Sequence, residues 1–162
     1  MRIEYKGEEI IISDFKPVEA YKIARRLEAE GMNFYKALLE NIHDTAAKRS
    51  IELLLSEEKW HLKTFEKKIE DIAGPFEENA VVDEIDTKVF SPLDKPLDVA
   101  AVVKDRKKAF ELGILFEKRS INFFKACLEK TTDESAKKAF EDVIREEERH
   151  LRLLKDMFKG IK

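Results

Sequence analysis

Two short segments of the sequence place a glutamate three residues before a histidine. They are Glu58-Lys-Trp-His61 and Glu147-Glu-Arg-His150, and they use two of the three histidines in the chain. Three residues along an α-helix turn through about 300°, so the carboxylate and the imidazole leave the same face about one turn apart. That geometry lets both side chains reach one metal ion. A single match carries little weight, because glutamate is common in this sequence.

The two halves of the chain are related to each other. A shift of 89 positions aligns residues 28–62 with 117–151 without a gap, and 15 of these 35 positions are identical. The alignment pairs Glu28 with Glu117, and each of them precedes the motif glutamate of its own half by 30 residues. In a pair of antiparallel helices this spacing brings the single glutamate level with the Glu-x-x-His motif. A symmetric site would therefore receive equivalent ligands from both halves.

Both motifs lie on apolar stripes of their helices. Glu58 and His61 share helical spacing with Leu54 and Phe65, and the other motif has leucines on its stripe. A buried carboxylate without a partner is too costly to leave, and no lysine or arginine lies on these stripes. Two divalent metal ions would neutralise four carboxylates, which predicts a metal site, whereas the alternative is a metal-free bundle with exposed Glu–His salt bridges. The predicted ligands are Glu28, Glu58, His61, Glu117, Glu147 and His150.

The elements that must position these residues are long helices. Glycine and proline are scarce, and apolar residues repeat at helical spacing. We expect one all-α domain over residues 1–162, a four-helix bundle of two antiparallel helical hairpins joined by a long crossover. Its predicted parts are an N-terminal extension (1–16) with a weakly indicated β-hairpin, a first helical hairpin (17–73), a crossover (74–97) and a second helical hairpin (98–160).

Composition excludes several classes of function. A net charge of −3 does not suit binding to nucleic acid or to an anionic membrane. No apolar run approaches the roughly 20 residues of a bilayer span, and the N-terminal MRIEYKGEE lacks the apolar core of a signal peptide, so we expect a cytoplasmic protein. Charged residues reach 40% and glutamine is absent. This composition favours a thermophilic source, although exposed faces of long helices would also account for the charge.

The sequence resembles ferritin-like proteins of the rubrerythrin type. The likeness rests on the ALLE and ACLE segments and on the paired EE-x-x-H-L signatures, and it covers residues 18–72 and 105–158. Such proteins take one glutamate from each of two helices and a Glu-x-x-His motif from each of the others. The resemblance implies that the six predicted ligands hold a non-haem di-iron centre that reacts with hydrogen peroxide or dioxygen. Manganese or zinc could substitute for iron.

This chain also departs from the family pattern. Rubrerythrins of full length carry a rubredoxin-like iron site built on paired Cys-x-x-Cys motifs, whereas this chain has the single Cys127. Electrons would then come from an external donor such as rubredoxin. Many rubrerythrins have an extra glutamate ligand three residues after the third-helix glutamate, where this chain has Ser120, and Gly31 is its counterpart in the first helix. The resemblance therefore does not imply the ligand exchange attributed to that extra carboxylate.

Two classes of function remain open beside a peroxidase or oxidase that forms a homodimer or small oligomer. One is iron oxidation and storage inside a ferritin-like shell, and the other is a structural helical module. Three further residues could support the ligands. Glu57 and Glu146 could bond the far nitrogens of the histidines, or they could be ordinary surface acids. Tyr35 could bond a ligand carboxylate, or it could simply be a core aromatic residue, since its counterpart is Phe124.

Overall fold

The computed structural model describes residues 1–74 and 99–161. The predicted crossover, apart from Gly74, therefore lies outside the described residues. Two strands and five helices occur in the described part, and four of these helices are long. Their bounds are β1 Arg2–Lys6, β2 Glu9–Ser13, α1 Pro17–Asn41, α2 Thr45–Ala73, α3 Val99–Val102, α4 Arg106–Lys130 and α5 Glu134–Lys159.

The four long helices form the predicted bundle. Helix α1 packs along α2 and α4 packs along α5, and the two hairpins contact each other through α1 with α4 and α2 with α5. This arrangement confirms the all-α, ferritin-like fold class. The short helix α3 ends at Val102, three residues before Asp105, which caps the N-terminus of α4.

Equivalent aspartates cap the N-terminus of the second helix of each hairpin. The Asp44 carboxylate accepts a hydrogen bond from the Ala47 amide at 2.7 Å, and the Asp133 carboxylate accepts one from the Ala136 amide at 2.7 Å. Each bond satisfies an amide that has no partner within the first helical turn. The repeat in the sequence is thus also a repeat in the structure, because the second helix of each hairpin begins with an equivalent aspartate cap.

The core is apolar at both ends and polar in the middle. One apolar cluster contains Tyr21, Phe65 and Phe140, whereas the other contains Phe34 and Leu54. On every long helix the candidate ligands lie between residues of these clusters. On α2, for example, Leu54 and Phe65 flank the Glu58–His61 pair. Apolar packing therefore encloses the ionisable groups along the bundle axis.

The N-terminal segment forms the weakly indicated hairpin. Strands β1 and β2 pair antiparallel, and Gly7 has a φ of 65° in the connecting turn, which suits glycine. Ile12 of β2 is buried, and the Asn122 side chain of α4 donates a hydrogen bond to the Glu8 carbonyl at 2.6 Å. The hairpin therefore packs against α4. None of the helices in the described residues is long and apolar enough to cross a membrane.

The two aspartate caps should contribute similarly to stability. We expect Asp44→Ala and Asp133→Ala each to lower the free energy of unfolding by about 1 kcal/mol, because each leaves a helix amide without its acceptor. Urea unfolding followed by circular dichroism measures the change. Asp156→Ala is the control, since that side chain is exposed and pairs with the exposed Lys159. A loss no larger than that of the control would contradict the role of the caps.

Candidate metal centre

All six predicted ligands meet in the polar layer of the bundle. The two histidines are fully buried, and each of the four glutamates is at most 4% exposed. Each long helix contributes to the layer, and both halves of the chain contribute equally. The contributions are Glu28 from α1, Glu58 and His61 from α2, Glu117 from α4, and Glu147 and His150 from α5.

These side chains form two overlapping groups of four. Within each group one ligand atom per residue lies within 4.8 Å of the others. We call the group with His61 position 1 and the group with His150 position 2. Both positions include Glu58 and Glu147, so these two carboxylates are shared by the two groups. Position 1 consists of Glu28, Glu58, His61 and Glu147, and position 2 consists of Glu58, Glu117, Glu147 and His150.

The Nδ1 atom of each histidine faces the carboxylates. His61 Nδ1 lies 3.3 Å from an oxygen of Glu28 and 3.3 Å from an oxygen of Glu147. His150 Nδ1 lies 2.9 Å from Glu147 Oε2 and 3.3 Å from an oxygen of Glu58. The two rings stack with their centroids 6.0 Å apart. The imidazoles thus point the same nitrogen into the two positions.

Three buried atoms of this layer have no hydrogen-bond partner among the described residues. They are Glu28 Oε1, Glu147 Oε2 and His150 Nδ1. The last two of these atoms lie 2.9 Å from each other, at ion-pair distance. Buried polar atoms nearly always have hydrogen bonds, so atoms that converge without them can bind a cation instead. Carboxylate oxygens and imidazole nitrogens are ligands that divalent iron, manganese and zinc accept. The residues present therefore fit a pair of metal ions.

The far nitrogens of the histidines contact carboxylates of the opposite helix. His61 Nε2 lies 2.6 Å from Glu146 Oε2, and His150 Nε2 lies 2.9 Å from Glu57 Oε2. In a neutral imidazole, a carboxylate at Nε2 keeps the remaining proton there, and Nδ1 is then the nitrogen available to a metal. The structure thus places Glu57 and Glu146 where they orient the two imidazoles. These crossed contacts also link α2 to α5.

Position 2 has two further contacts. The Tyr35 hydroxyl, buried in the bundle, donates a hydrogen bond to Glu117 Oε1. Arg149 Nη2 donates to Glu57 Oε1 at 2.5 Å, so both oxygens of Glu57 are bonded. The sequence did not lead us to predict a role for Arg149. Its place directly before the ligand His150 was the signal that could have indicated one.

The electrostatics of the layer reflect its crowded charges. Burial lowers the pKa of His61, but the Glu28 and Glu147 carboxylates outweigh burial and raise it to about 12. Neighbouring carboxylates likewise outweigh burial at His150 and raise its pKa to about 10. Burial and repulsion by other carboxylates raise the pKa of Glu28 and Glu117 well above the usual value. Burial opposes ionisation of Glu147, but its two imidazole neighbours hold its pKa well below the usual range.

Gly31, the first-helix counterpart of Ser120, lies against one of the shared carboxylates. A Cβ atom at Gly31 would lie 3.1 Å from Glu58 Oε2, closer than ordinary van der Waals contact. A side chain at this residue would therefore press on one of the two shared carboxylates. The glycine leaves Glu58 room to hold its orientation between the two positions.

Comparison with known proteins agrees with this geometry. The structure is similar to that of a hypothetical protein from Pyrococcus furiosus, with a TM-score of 0.69, 23% sequence identity and coverage of 90% of each chain. At that identity the likeness shows the fold alone. No curated protein matched the chain. The family model for rubrerythrin matches residues 19–158, a range that includes all six predicted ligands. Since this match spans most of the sequence, the chain belongs to the rubrerythrin family.

Proposed function

We propose that the protein is a di-iron oxidoreductase that reduces hydrogen peroxide or dioxygen with electrons from an external donor. The observation that supports this most strongly is the pair of overlapping four-residue groups, buried in the bundle and sharing two carboxylates. Membership of the rubrerythrin family implies the same kind of centre.

Charge balance supports two metal ions rather than one. The four glutamates carry four negative charges when ionised, and two divalent cations neutralise them while both histidines remain neutral. One cation would leave two buried negative charges, which would have to take up protons. Mixed nitrogen and oxygen ligands suit iron, and they also accept manganese or zinc.

The residues of this chain orient the ligands and exclude water. Glu57 and Glu146 hold the histidines with Nδ1 toward the centre, and the apolar clusters close the bundle on both sides. When bound, two iron ions supply the two electrons that convert hydrogen peroxide and two protons into two molecules of water. The buried Tyr35 hydroxyl donates a hydrogen bond to Glu117 and so orients that carboxylate.

The electrons would come from outside this chain. Cys127 is the single cysteine in the sequence, and it is buried in the core. Burial raises the pKa of its thiol, which keeps the thiol protonated and unreactive. The single cysteine of this sequence cannot form a rubredoxin-like iron–thiolate site. We therefore propose a separate redox protein, such as rubredoxin, as the donor. A homodimer or small oligomer would suffice for this activity.

Metal content tests the shared ligands. We expect about two iron ions per chain after anaerobic reconstitution and gel filtration, measured by elemental analysis. Glu58→Ala should lose most of both ions, because Glu58 belongs to both positions. Glu52→Ala is the control, since it removes an exposed acid from the same helix. Two ions retained in Glu58→Ala would refute the proposed centre, and iron far above two per chain in a large assembly would instead indicate storage.

Peroxide turnover tests the activity. Iron-loaded protein with a chemical reductant should consume hydrogen peroxide, whereas Glu147→Ala should lose at least about 100-fold in rate, since it removes a carboxylate from both metal positions. Circular dichroism must show that the variant keeps its helices. Equal rates for the variant and the parent would exclude this centre as the site of reaction.

Metal binding should release protons. The pKa values of about 12 for His61 and about 10 for His150 mean that both are protonated at pH 7 without metal, whereas ligation needs neutral imidazole. We therefore expect release of at least about two protons per chain on filling both positions, and affinity that rises between about pH 6 and pH 8. Calorimetric titration in buffers of different ionisation enthalpy counts the protons. Affinity independent of pH would contradict this electrostatic account.

A further inference from the structure

We infer that the two metal positions are unequal, with position 2 filled first and position 1 holding the exchangeable ion. The inference rests on the proposed di-iron function and adds an order of filling to it. It comes from comparing residues related by the internal repeat, because the ligands themselves are equivalent in the two halves. The residues that contact those ligands differ between the two halves.

The first difference is a missing hydroxyl. The Tyr35 hydroxyl of α1 donates to Glu117, a ligand that only position 2 uses. The repeat places Phe124 of α4 at the corresponding location, and a phenyl ring has no donor for Glu28. Glu28 Oε1 accordingly has no hydrogen-bond partner among the described residues. The Glu117 carboxylate therefore has a hydrogen bond from a residue that is not itself a candidate ligand, whereas the equivalent Glu28 carboxylate has none among the described residues.

The second difference is that the Arg149 side chain beside position 2 has no charged counterpart beside position 1. Arg149 donates to Glu57, which in turn contacts His150, so both oxygens of that carboxylate are bonded. The residue of the repeat that corresponds to Arg149 is Trp60, which carries no charge and is 54% exposed. A carboxylate held at both oxygens fixes its histidine more firmly than a carboxylate held at one.

The other histidine depends on a less restrained carboxylate. Within the described residues, the one hydrogen bond found for the Glu146 side chain is the contact with His61. Its side chain is 36% exposed, against 24% for Glu57. Water can therefore compete for the carboxylate that orients the position 1 imidazole, and less of its orientation is set before metal binds.

Both differences favour position 2, and they involve separate side chains. The contacts at the Nδ1 atoms do not distinguish the two positions, because His61 Nδ1 lies 3.3 Å from Glu28 Oε2 and His150 Nδ1 lies 2.9 Å from Glu147 Oε2.

Titration with Co²⁺ tests the order of filling. The full chain, freed of metal by a chelator, is titrated anaerobically and followed by calorimetry and by cobalt absorption. We expect two steps whose dissociation constants differ by at least about tenfold. Glu117→Gln should remove the tighter step, and Glu28→Gln should remove the weaker step, because each residue belongs to one position.

Two exchanges between the halves test the cause. Tyr35→Phe copies the phenyl ring of the other half, and it should weaken the tighter step about tenfold while leaving the weaker step in place. Trp60→Arg copies the arginine of the other half at an exposed site, and it should strengthen the weaker step by offering Glu146 a cation. Arg152→Ala is the control, since it removes an exposed arginine from the helix that carries His150.

The outcomes separate this inference from the proposed function. Two equal steps would overturn the inference and leave a di-iron centre intact, and so would loss of the tighter step in Glu28→Gln. Unchanged affinities in both exchange variants would overturn it as well. Failure of the parent protein to bind Co²⁺ at all would instead refute the proposed metal centre, and the order of filling with it.

Discussion

The burial of four carboxylates and two imidazoles inside a helical bundle is the constraint on which the rest of this structure depends. Such groups cannot lie in an apolar core unless protons or cations compensate their charge. The protein confines them to one layer and encloses that layer with aromatic and aliphatic side chains on both sides. Each ligand thereby gains partners within the layer, and the apolar clusters keep water from weakening those interactions.

The same contacts link the two hairpins and orient the candidate ligands. Helices α2 and α5 come from different hairpins, and the contacts of His61 with Glu146 and of His150 with Glu57 cross between them. Each contact turns an imidazole so that Nδ1 faces the carboxylates. The orientation of the ligands is thus built into the contact between the hairpins, so a change that separates the hairpins would also disturb the centre.

Internal duplication accounts both for the symmetry of the centre and for its limits. Equivalent hairpins, begun by equivalent aspartate caps, bring equivalent ligands to a common axis. The symmetry does not extend to the neighbours of the ligands, because Tyr35 and Arg149 have no chemical equivalents in the other half. A repeated sequence can therefore supply a nearly symmetric pair of metal positions, while a few single substitutions give each position its own properties.

The sequence by itself determined the bundle and the members of the polar layer. Helical periodicity, the 89-residue repeat and the 30-residue spacing depend on local geometry and on antiparallel packing, so they predicted which residues meet, including Glu28 and Glu117. Tertiary structure alone decided which carboxylates belong to both positions and which nitrogen faces them. It also decided that Arg149 reaches Glu57 and that the N-terminal hairpin packs on α4. These features depend on rotamers and on contacts between distant segments, which helical spacing does not specify.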